Sequence, residues 1–244
     1  MTGRRIPVLT AMAVVFLTSA VRGAENVPVE LRAAVSAYAT ESQGYLVYDR
    51  HRTQSLTYPG HSEMSETTSM RLRTGTRVLA VRIKAGDNNG VPLDAAAIAK
   101  QQAQNASGPW PEAGYDLPLQ TESVGDFTYA TQACAACEPG VIAIGFRANK
   151  RGEQSADGTI FLLPELHRIV KVDFVPVRLP KPSTQGACTL RFGDVGSGLW
   201  QITRTEMHFS GRQLFVLGHY DILIAQDHYR RYDTEREARA DLSH

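Results

Sequence analysis

The sequence predicts an α+β protein that is mostly β: a strongly curved antiparallel sheet, an incomplete barrel of about 10–11 strands, covered by two or three helices. Short runs rich in Val, Ile, Thr and aromatic residues recur along the chain, and Gly- and Pro-containing turns separate them. Two segments with helical periodicity lie nearer the N-terminus. The 244 residues suffice for one core and do not require a second domain.

The charge balance argues against a polyanionic partner. The chain has 26 Lys and Arg residues against 25 Asp and Glu residues, which gives a formal net charge of +1. A nucleic-acid-binding domain normally carries a strong basic excess on one surface. We therefore expect no nucleic-acid partner.

The N-terminus has the three-part pattern of a secretory signal. Arg4 and Arg5 precede an uncharged apolar stretch at residues 6–20, and small residues follow it. We expect residues 1–23 to be a cleaved signal peptide, with cleavage after Gly23 or after Ala20. An uncleaved membrane anchor or a buried helix is the alternative, although the stretch is short for a bilayer span. The expected location is the periplasm or another exported compartment.

Residues 24–232 are expected to form the β-rich domain. Its first part begins with a helix at 29–41, where Leu31, Val35 and Tyr38 share one face. Three strands are predicted next, at 44–56, 64–73 and 77–84. A largely exposed helix at 94–106 and a loop at 107–125 follow them.

The second part of the domain, after the loop at 107–125, is predicted to consist almost entirely of β-strands. Eight strands are predicted, with turns at residues 180–186, at Ser210-Gly211 and at Gly218 among others. They are 127–133, 141–146, 158–163, 168–177, 188–192, 199–209, 213–217 and 220–232. Residues 233–244 form a charged C-terminal tail that we expect to fray.

The expected export bears on the three cysteines of the chain, because an oxidising compartment permits disulfides. Cys134 and Cys137 form a CxxC on a loop between strands, whereas a thioredoxin-type redox site needs that motif at the start of a helix. We expect one structural disulfide, either Cys134–Cys137 or one of these two with Cys188. A redox or metal role and three free thiols are the alternatives.

The order of elements, together with three local segments, resembles the outer-membrane lipoprotein-sorting (LolA-like) superfamily of bacterial envelope proteins. The resemblance covers roughly residues 28–232, and the segments that carry it are VPLDAAAIAKQQ, DGTIFLLPELHRIVKVDFVPVRLP and GLWQITRTEMHFSGRQLFVLGHYDILIAQDHYRRY. It implies an incomplete antiparallel barrel whose open side helices close over an apolar cavity. The departure is an arginine thought to govern ligand release in the lipoprotein carrier, which no arginine of this chain matches.

Several strands carry apolar residues on both faces, as at Leu223 and its neighbours Ile222 and Ile224. Something must then cover the second face, either structural elements or a ligand. If a cavity exists, its wall is expected to include aromatic side chains, namely Trp200, Phe209, Phe215 and Tyr220.

No catalytic apparatus is recognisable. Gly196-Ser197-Gly198 lacks the spacing of a nucleophile elbow and joins two strands. His219, Asp221 and Asp227 share one strand face by parity, and we interpret them as ordinary polar residues without a metal ion. No cofactor is expected.

The favoured hypothesis is therefore a non-catalytic exported carrier that holds a lipid, a lipoprotein or another hydrophobic ligand. An envelope interaction domain with a filled core and a protein partner is the alternative, and an exported hydrolase is a third reading. A solid interior beside a polar cleft would count against the carrier.

Overall fold

The computed structural model describes residues 27–105, 110–213 and 216–243, so the expected signal at 1–23 lies outside it. Within those ranges no helix has the length and apolar character needed to cross a membrane. The described helices are α1 (Val29–Glu41), α2 (Ala95–Gln104) and α3 (Glu235–Ser243). The described strands are β1 (Tyr45–Tyr58), β2 (His61–Thr74), β3 (Arg77–Asn88), β4 (Val91–Pro92), β5 (Trp110–Pro111), β6 (Phe127–Gln132), β7 (Ile142–Ala148), β8 (Ala156–Leu163), β9 (Arg168–Pro176), β10 (Ser183–Asp194), β11 (Trp200–Gln213) and β12 (Val216–Tyr232).

All of these strands belong to one antiparallel sheet. Its order is β4-β3-β2-β1-β12-β11-β10-β9-β8-β7-β6, and β5 adds a short pairing to β3. The sheet is open, since β4 and β6 stand at opposite ends of that order. The first and last long strands join its two parts, with Tyr45 opposite Tyr232 and Thr57 opposite His219. The predicted fold class, an incomplete antiparallel barrel with up to three helices, is confirmed.

A short connection shows that the sheet curves. Pro111 pairs with Arg77 of β3, and Asp116 bridges to Ser155 at the start of β8. Seven strand spacings separate β3 from β8, which is about 34 Å in a flat sheet. Five residues span at most about 17 Å. The two parts of the sheet therefore bend towards each other across an inner face.

Helix α1 packs on that inner face as its periodicity predicts. Leu31, Val35 and Tyr38 are all buried in the main apolar cluster, with side chains from β7 to β11 around them. The predicted loop at 107–125 also crosses the inner face, and its Leu117 and Leu119 are buried in the same cluster. The helix and this segment fill the space above β7–β11.

The expectation of a fraying C-terminal tail is wrong. Residues 235–243 form α3, which packs on the outer face of the sheet, opposite α1. Ala238 and Leu242, four residues apart, lie on one side of the helix and are buried against Val47, Met70 and Leu72. Because the tail is rich in charged residues, its two apolar contact residues were not recognised in the sequence.

Two predicted turns in the second part of the chain are also wrong. Strand β11 continues through Ser210-Gly211, and β12 already includes Gly218, so seven described strands replace the predicted eight. Gly211 lies opposite Gly218 in that strand pair. A Cβ on Gly211 would lie 2.3 Å from the carbonyl oxygen of Pro182, so this glycine permits a close chain approach. The predicted turn at 180–186 is shortened because β10 begins at Ser183.

Candidate ligand-binding cleft

The inner face has two chemically different halves. The apolar half is the inner surface of β6–β11, and the polar half is the inner surface of β1–β3 with β12. On the polar half, Arg50 and Arg52 of β1 face the same way as Ser69, Arg71 and Arg73 of β2, because alternate residues of a strand share a side. Arginines from two adjacent strands are thus gathered on one inner surface.

A cleft of about 380 Å³ lies over the polar half. The C-terminal part of α2 forms one wall, and residues 111–114 form another. The floor is formed by Arg50, Arg52 and Arg71 together with Thr67 and Ser69. The remaining wall is apolar and comprises Ile83, Met207, Ile222 and Ile224.

The three floor arginines have few partners inside the protein. Arg71 is only 8% exposed, and its Nε is buried without a hydrogen-bond acceptor. Arg52 donates one long hydrogen bond, 3.4 Å, to the hydroxyl of Tyr220. No described residue accepts a hydrogen bond from the Arg50 or Arg71 side chain or forms an ion pair with it. Burial, with Arg71 and Arg52 close by, lowers the pKa of Arg50 well below its ordinary value.

The carboxylate that lines the cleft, Glu112, is already committed to another arginine. Arg73 and Glu112 have almost fully buried side chains, 0% and 2% exposed, and Arg73 Nε lies 3.1 Å from Glu112 Oε2. This is an ion-pair distance, but the two atoms lack the alignment of a hydrogen bond. Gln226 Nε2 donates to the other carboxylate oxygen at 3.2 Å.

Further polar contacts complete this buried network. The Arg73 guanidinium donates to Gln201 of β11 and to the carbonyl of Gly75. The Tyr229 hydroxyl donates to the carbonyl of Ile202 at 2.7 Å. Burial lowers the Arg73 pKa, but the Glu112 carboxylate and the nearby Tyr38, Tyr229 and Tyr48 together outweigh it, so that the Arg73 pKa is raised. The network therefore neutralises Arg73 and leaves the three floor arginines unneutralised.

Helix α2 is anchored where it borders the cleft. Asp94 caps its N-terminus by accepting a hydrogen bond from the backbone N–H of Ala97 at 2.8 Å. The Gln102 side chain accepts from the backbone N–H of Ile83 at 2.8 Å and donates to the carbonyl of Val81. Gln102 thus pairs with the free edge of β3 as another strand would.

Of the aromatic residues predicted to line a cavity, the structure brings Phe209 and Tyr220 together and places Trp200 elsewhere. Trp200 lies beside the end of α1, where its Nε1 donates to the carbonyl of Ile169 at 2.7 Å and Arg168 stacks on its ring. Phe209 is buried, and its ring lies 6.3 Å from that of Tyr220. Nine residues of strand, about 30 Å, separate Trp200 from Phe209. Phe215 lies outside the described residues.

The structure shows which of the three cysteines form the disulfide. Cys134 and Cys137 form a disulfide with a sulfur–sulfur distance of 2.02 Å. Cys188, on the inner face of β10, is a free buried thiol, so its candidacy for a disulfide is corrected. Burial raises the pKa of Cys188 to about 12, which keeps the thiol protonated.

The strand pairing keeps His219, Asp221 and Asp227 on one face as predicted, and a bulge follows Asp227. The register of β12 against β1 shifts near His228, which has a φ of 50°. The bulge brings His228 beside Asp227 and Asp49, with His228 Nδ1 3.2 Å and 3.3 Å from their carboxylates. Lys84 is bound to Asp49 at 3.0 Å and supplies positive charge there. We interpret the group as an ion-pair cluster.

Among the described residues the apolar half is mostly filled, although a hollow of about 480 Å³ lies between α1 and residues 121–125. The inner side chains of this half are packed together with those of α1 and residues 113–124, and several are fully buried, namely Leu31, Ile160, Leu162, Val172 and Leu190. A hollow of about 490 Å³ lies beside the Cys134–Cys137 turn rather than within this cluster. The structure adds a polar, arginine-floored cleft on the other half of the inner face, while the predicted aromatic wall of a cavity stays a prediction.

The arginine floor was missed in the sequence, although a signal for it exists. Arg50 and Arg52 share one parity in the first predicted strand, and Arg71 and Arg73 share one in the second. The alternation of Met70 and Leu72 with these arginines would normally place the arginines in solvent. Here α3 covers Met70 and Leu72 from outside, so the arginines face inwards.

The fold is similar to that of three solved structures. A DUF1329 family protein from Desulfovibrio piger matches with a TM-score of 0.44 and 10% identity, over 87% of this chain and 98% of its own. The LolA superfamily protein NE2245 from Nitrosomonas europaea gives 0.40 and 10%, over 86% and 97%. A chain of the Pseudomonas aeruginosa MucA/MucB complex gives 0.21 and 10%, over 84% and 100%.

No protein-family model matches the chain, and no curated protein matches its sequence significantly.

Proposed function

We propose that this protein is an exported, non-catalytic binding protein that holds an amphiphile in the cleft over the polar half of the sheet. The observation that carries the proposal is the cleft itself. It is the place where the inner face is left unfilled between α2 and the sheet, with one polar and one apolar wall. Its volume lies at the lower end of the range of about 300–1,000 Å³ that ligand sites occupy. It suits a small amphiphile or one end of a larger one.

The filled apolar half narrows the choice of ligand. A purely apolar ligand would bind most favourably in an apolar cavity, but the apolar side chains of that half pack on one another instead. The cleft offers only Ile83, Met207, Ile222 and Ile224 to an acyl chain, and it presents charged groups opposite them. A ligand with a polar head and a short buried chain fits both walls.

The test is co-purification of the ligand. The full chain is expressed in a bacterium with two membranes and fractionated, and the purified protein is extracted with organic solvent for mass spectrometry. We expect the protein in the periplasmic fraction with one amphiphile bound in stoichiometric amount. Ile222→Trp should fill the cleft and remove the ligand.

Leu223→Trp is the matched control, because Leu223 is the next residue of β12 and lies on the outer face, 39% exposed. That variant should retain the ligand. Equal ligand content in both tryptophan variants, or no bound amphiphile in the unaltered protein, would contradict the proposal.

A second candidate function is an envelope interaction domain, which the filled apolar half favours. Leu217 and Leu223 are 44% and 39% exposed on the outer face of β12, and exposed apolar side chains of this kind are suited to a protein partner. The same pair of variants separates the two functions. An interaction surface would respond to Leu223→Trp and ignore Ile222→Trp.

A further inference from the structure

We propose that Arg50, Arg52 and Arg71 bind the anionic head group of the amphiphile, a phosphate or a carboxylate, an inference that rests on the proposed function. The three arginines share the floor of the cleft and come from neighbouring positions of two paired strands. The apolar wall of Ile222 and Ile224 then receives the chain of the same ligand.

The first argument is the uncompensated charge. Like charges on neighbouring positions of a strand pair destabilise a sheet, and a buried charge without a partner is costlier still. Arg71 is 8% exposed with its Nε unpartnered, and Arg50 and Arg52 lie beside it. The polar half carries this cost within its folded structure, and a bound anion would relieve it.

The second argument is that the nearest carboxylate is held elsewhere. Glu112 lines the cleft, but Arg73 and Gln226 occupy its two oxygens. Buried as it is, this pair is held in place by contacts to β2 and β12, so Glu112 is not free to turn towards the floor. The missing negative charge must therefore come from outside the described protein.

The third argument is the chemistry of the remaining lining groups. Arginine presents a planar fork of N–H donors that matches the oxygens of phosphate and carboxylate. Thr67 and Ser69 on the floor and Gln101, Gln104 and Asn105 on the α2 wall add neutral hydrogen-bonding groups. Such a set is typical of an anion site with fixed orientation.

The experiment compares two alkyl compounds of equal chain length, octyl phosphate and octyl glucoside, below their micelle-forming concentrations. Isothermal titration calorimetry is carried out on the full chain, and inorganic phosphate alone is a third probe. We expect octyl phosphate to bind at least about tenfold more tightly than octyl glucoside, the effect of one added charge-assisted contact. Inorganic phosphate should bind more weakly than octyl phosphate and at the same arginines.

The test variant is Arg50→Gln/Arg52→Gln. It should lose about tenfold or more in affinity for octyl phosphate and lose much less in affinity for octyl glucoside. Arg178→Gln/Arg204→Gln removes the same charge from arginines whose side chains are 63% and 52% exposed and lie outside the cleft lining, and it should leave both affinities unchanged. Without ligand, Arg50→Gln/Arg52→Gln should also raise the Tm, because it removes unpaired like charges. A merely structural role for the two arginines would lower the Tm.

The outcomes separate this inference from the proposed function. Equal binding of both alkyl compounds, unchanged in Arg50→Gln/Arg52→Gln, overturns the anion site and leaves the amphiphile function standing. Inorganic phosphate that binds as tightly as octyl phosphate, with the same arginine dependence, supports the anion site and overturns the amphiphile function. No binding of any of the three probes overturns both.

Discussion

The two halves of the inner face belong to one sheet, but they are stabilised in different ways. The apolar half is a packed core in which α1 and residues 113–124 cover β7–β11. The polar half buries arginines, and its stability depends on one ion pair, Arg73–Glu112, and on the amides around it. The first half gains from removing apolar area from water, whereas the second mostly offsets the cost of burying charge. The polar half therefore keeps charged groups on its inner surface, which the packed apolar half lacks.

The outer face makes this division possible. On β2, Met70 and Leu72 point outwards and are buried by α3, while Arg71 and Arg73 point inwards. The apolar contact that holds the polar half therefore lies on the side away from the cleft. The outer face of these strands makes the apolar contact with α3, and the inner face of the same strands carries the arginines.

The largest expected effect comes from breaking the ion pair of the polar half. Glu112→Gln keeps the size of the side chain but leaves Arg73 buried without its counter-charge. We expect a loss of about 3–5 kcal/mol in the free energy of unfolding, measured by urea denaturation. Glu153→Gln, whose side chain is 86% exposed, is the control and should change little. A loss in Glu112→Gln no larger than in the control would show that the pair contributes nothing.

Cavity formation in the apolar half is expected to cost slightly less. Leu190 on β10 is fully buried among apolar neighbours, so Leu190→Ala should lose about 3 kcal/mol by the same measurement. Leu166→Ala at a 64% exposed position is its control. If Leu190→Ala were as mild as Leu166→Ala, the apolar half would not be the packed core described above.

The attachment of α2 gives a smaller effect, since it depends on side-chain hydrogen bonds to a strand edge. Gln102→Ala removes both bonds to the edge of β3 and should cost about 1–2 kcal/mol. Lys100→Ala, at an exposed position of the same helix, should cost less. Hydrogen exchange at the Ile83 amide reports the contact directly, and protection unchanged in Gln102→Ala would contradict it.

The smallest effect is a pH dependence that belongs to the apolar half. Cys188 has a pKa of about 12 in the folded protein, above its value in the unfolded chain. The unfolded state therefore loses its proton first, and stability falls as the pH rises above the unfolded thiol pKa of about 8.5. Between pH 8 and pH 9.5 we expect a loss of about 1 kcal/mol from this group. Cys188→Ala should show a correspondingly flatter dependence, and an equal slope in both proteins would contradict the assignment.

The sequence predicted the elements better than it predicted what they enclose. Helix α1 was predicted with its bounds and its buried face because Leu31, Val35 and Tyr38 express a local period. Gly211 was misinterpreted as a turn because its need for a small side chain arises from Pro182, which lies in the turn before β10, distant in sequence. The bulge at His228 likewise depends on pairing with β1, which no local pattern records.

The cleft was missed for the same physical reason. Arg73 is 39 residues before Glu112 and 128 before Gln201, so only the folded sheet brings them together. Alternation along β2 puts Arg71 and Arg73 on one face, but alternation alone does not say which face is inside. The choice of which face is inside was decided by α3, a segment whose composition indicated solvent exposure.

The pairing of β1 with β12 has a consequence for how the chain acquires its shape. Strand β1 pairs with β2 on one side and with β12 on the other, so the two parts of the sheet cannot join until residues 216–232 have been synthesised. Contacts this distant along the chain form late and slow the folding reaction. A nascent chain with this strand order completes its sheet later than a chain built from successive local hairpins alone.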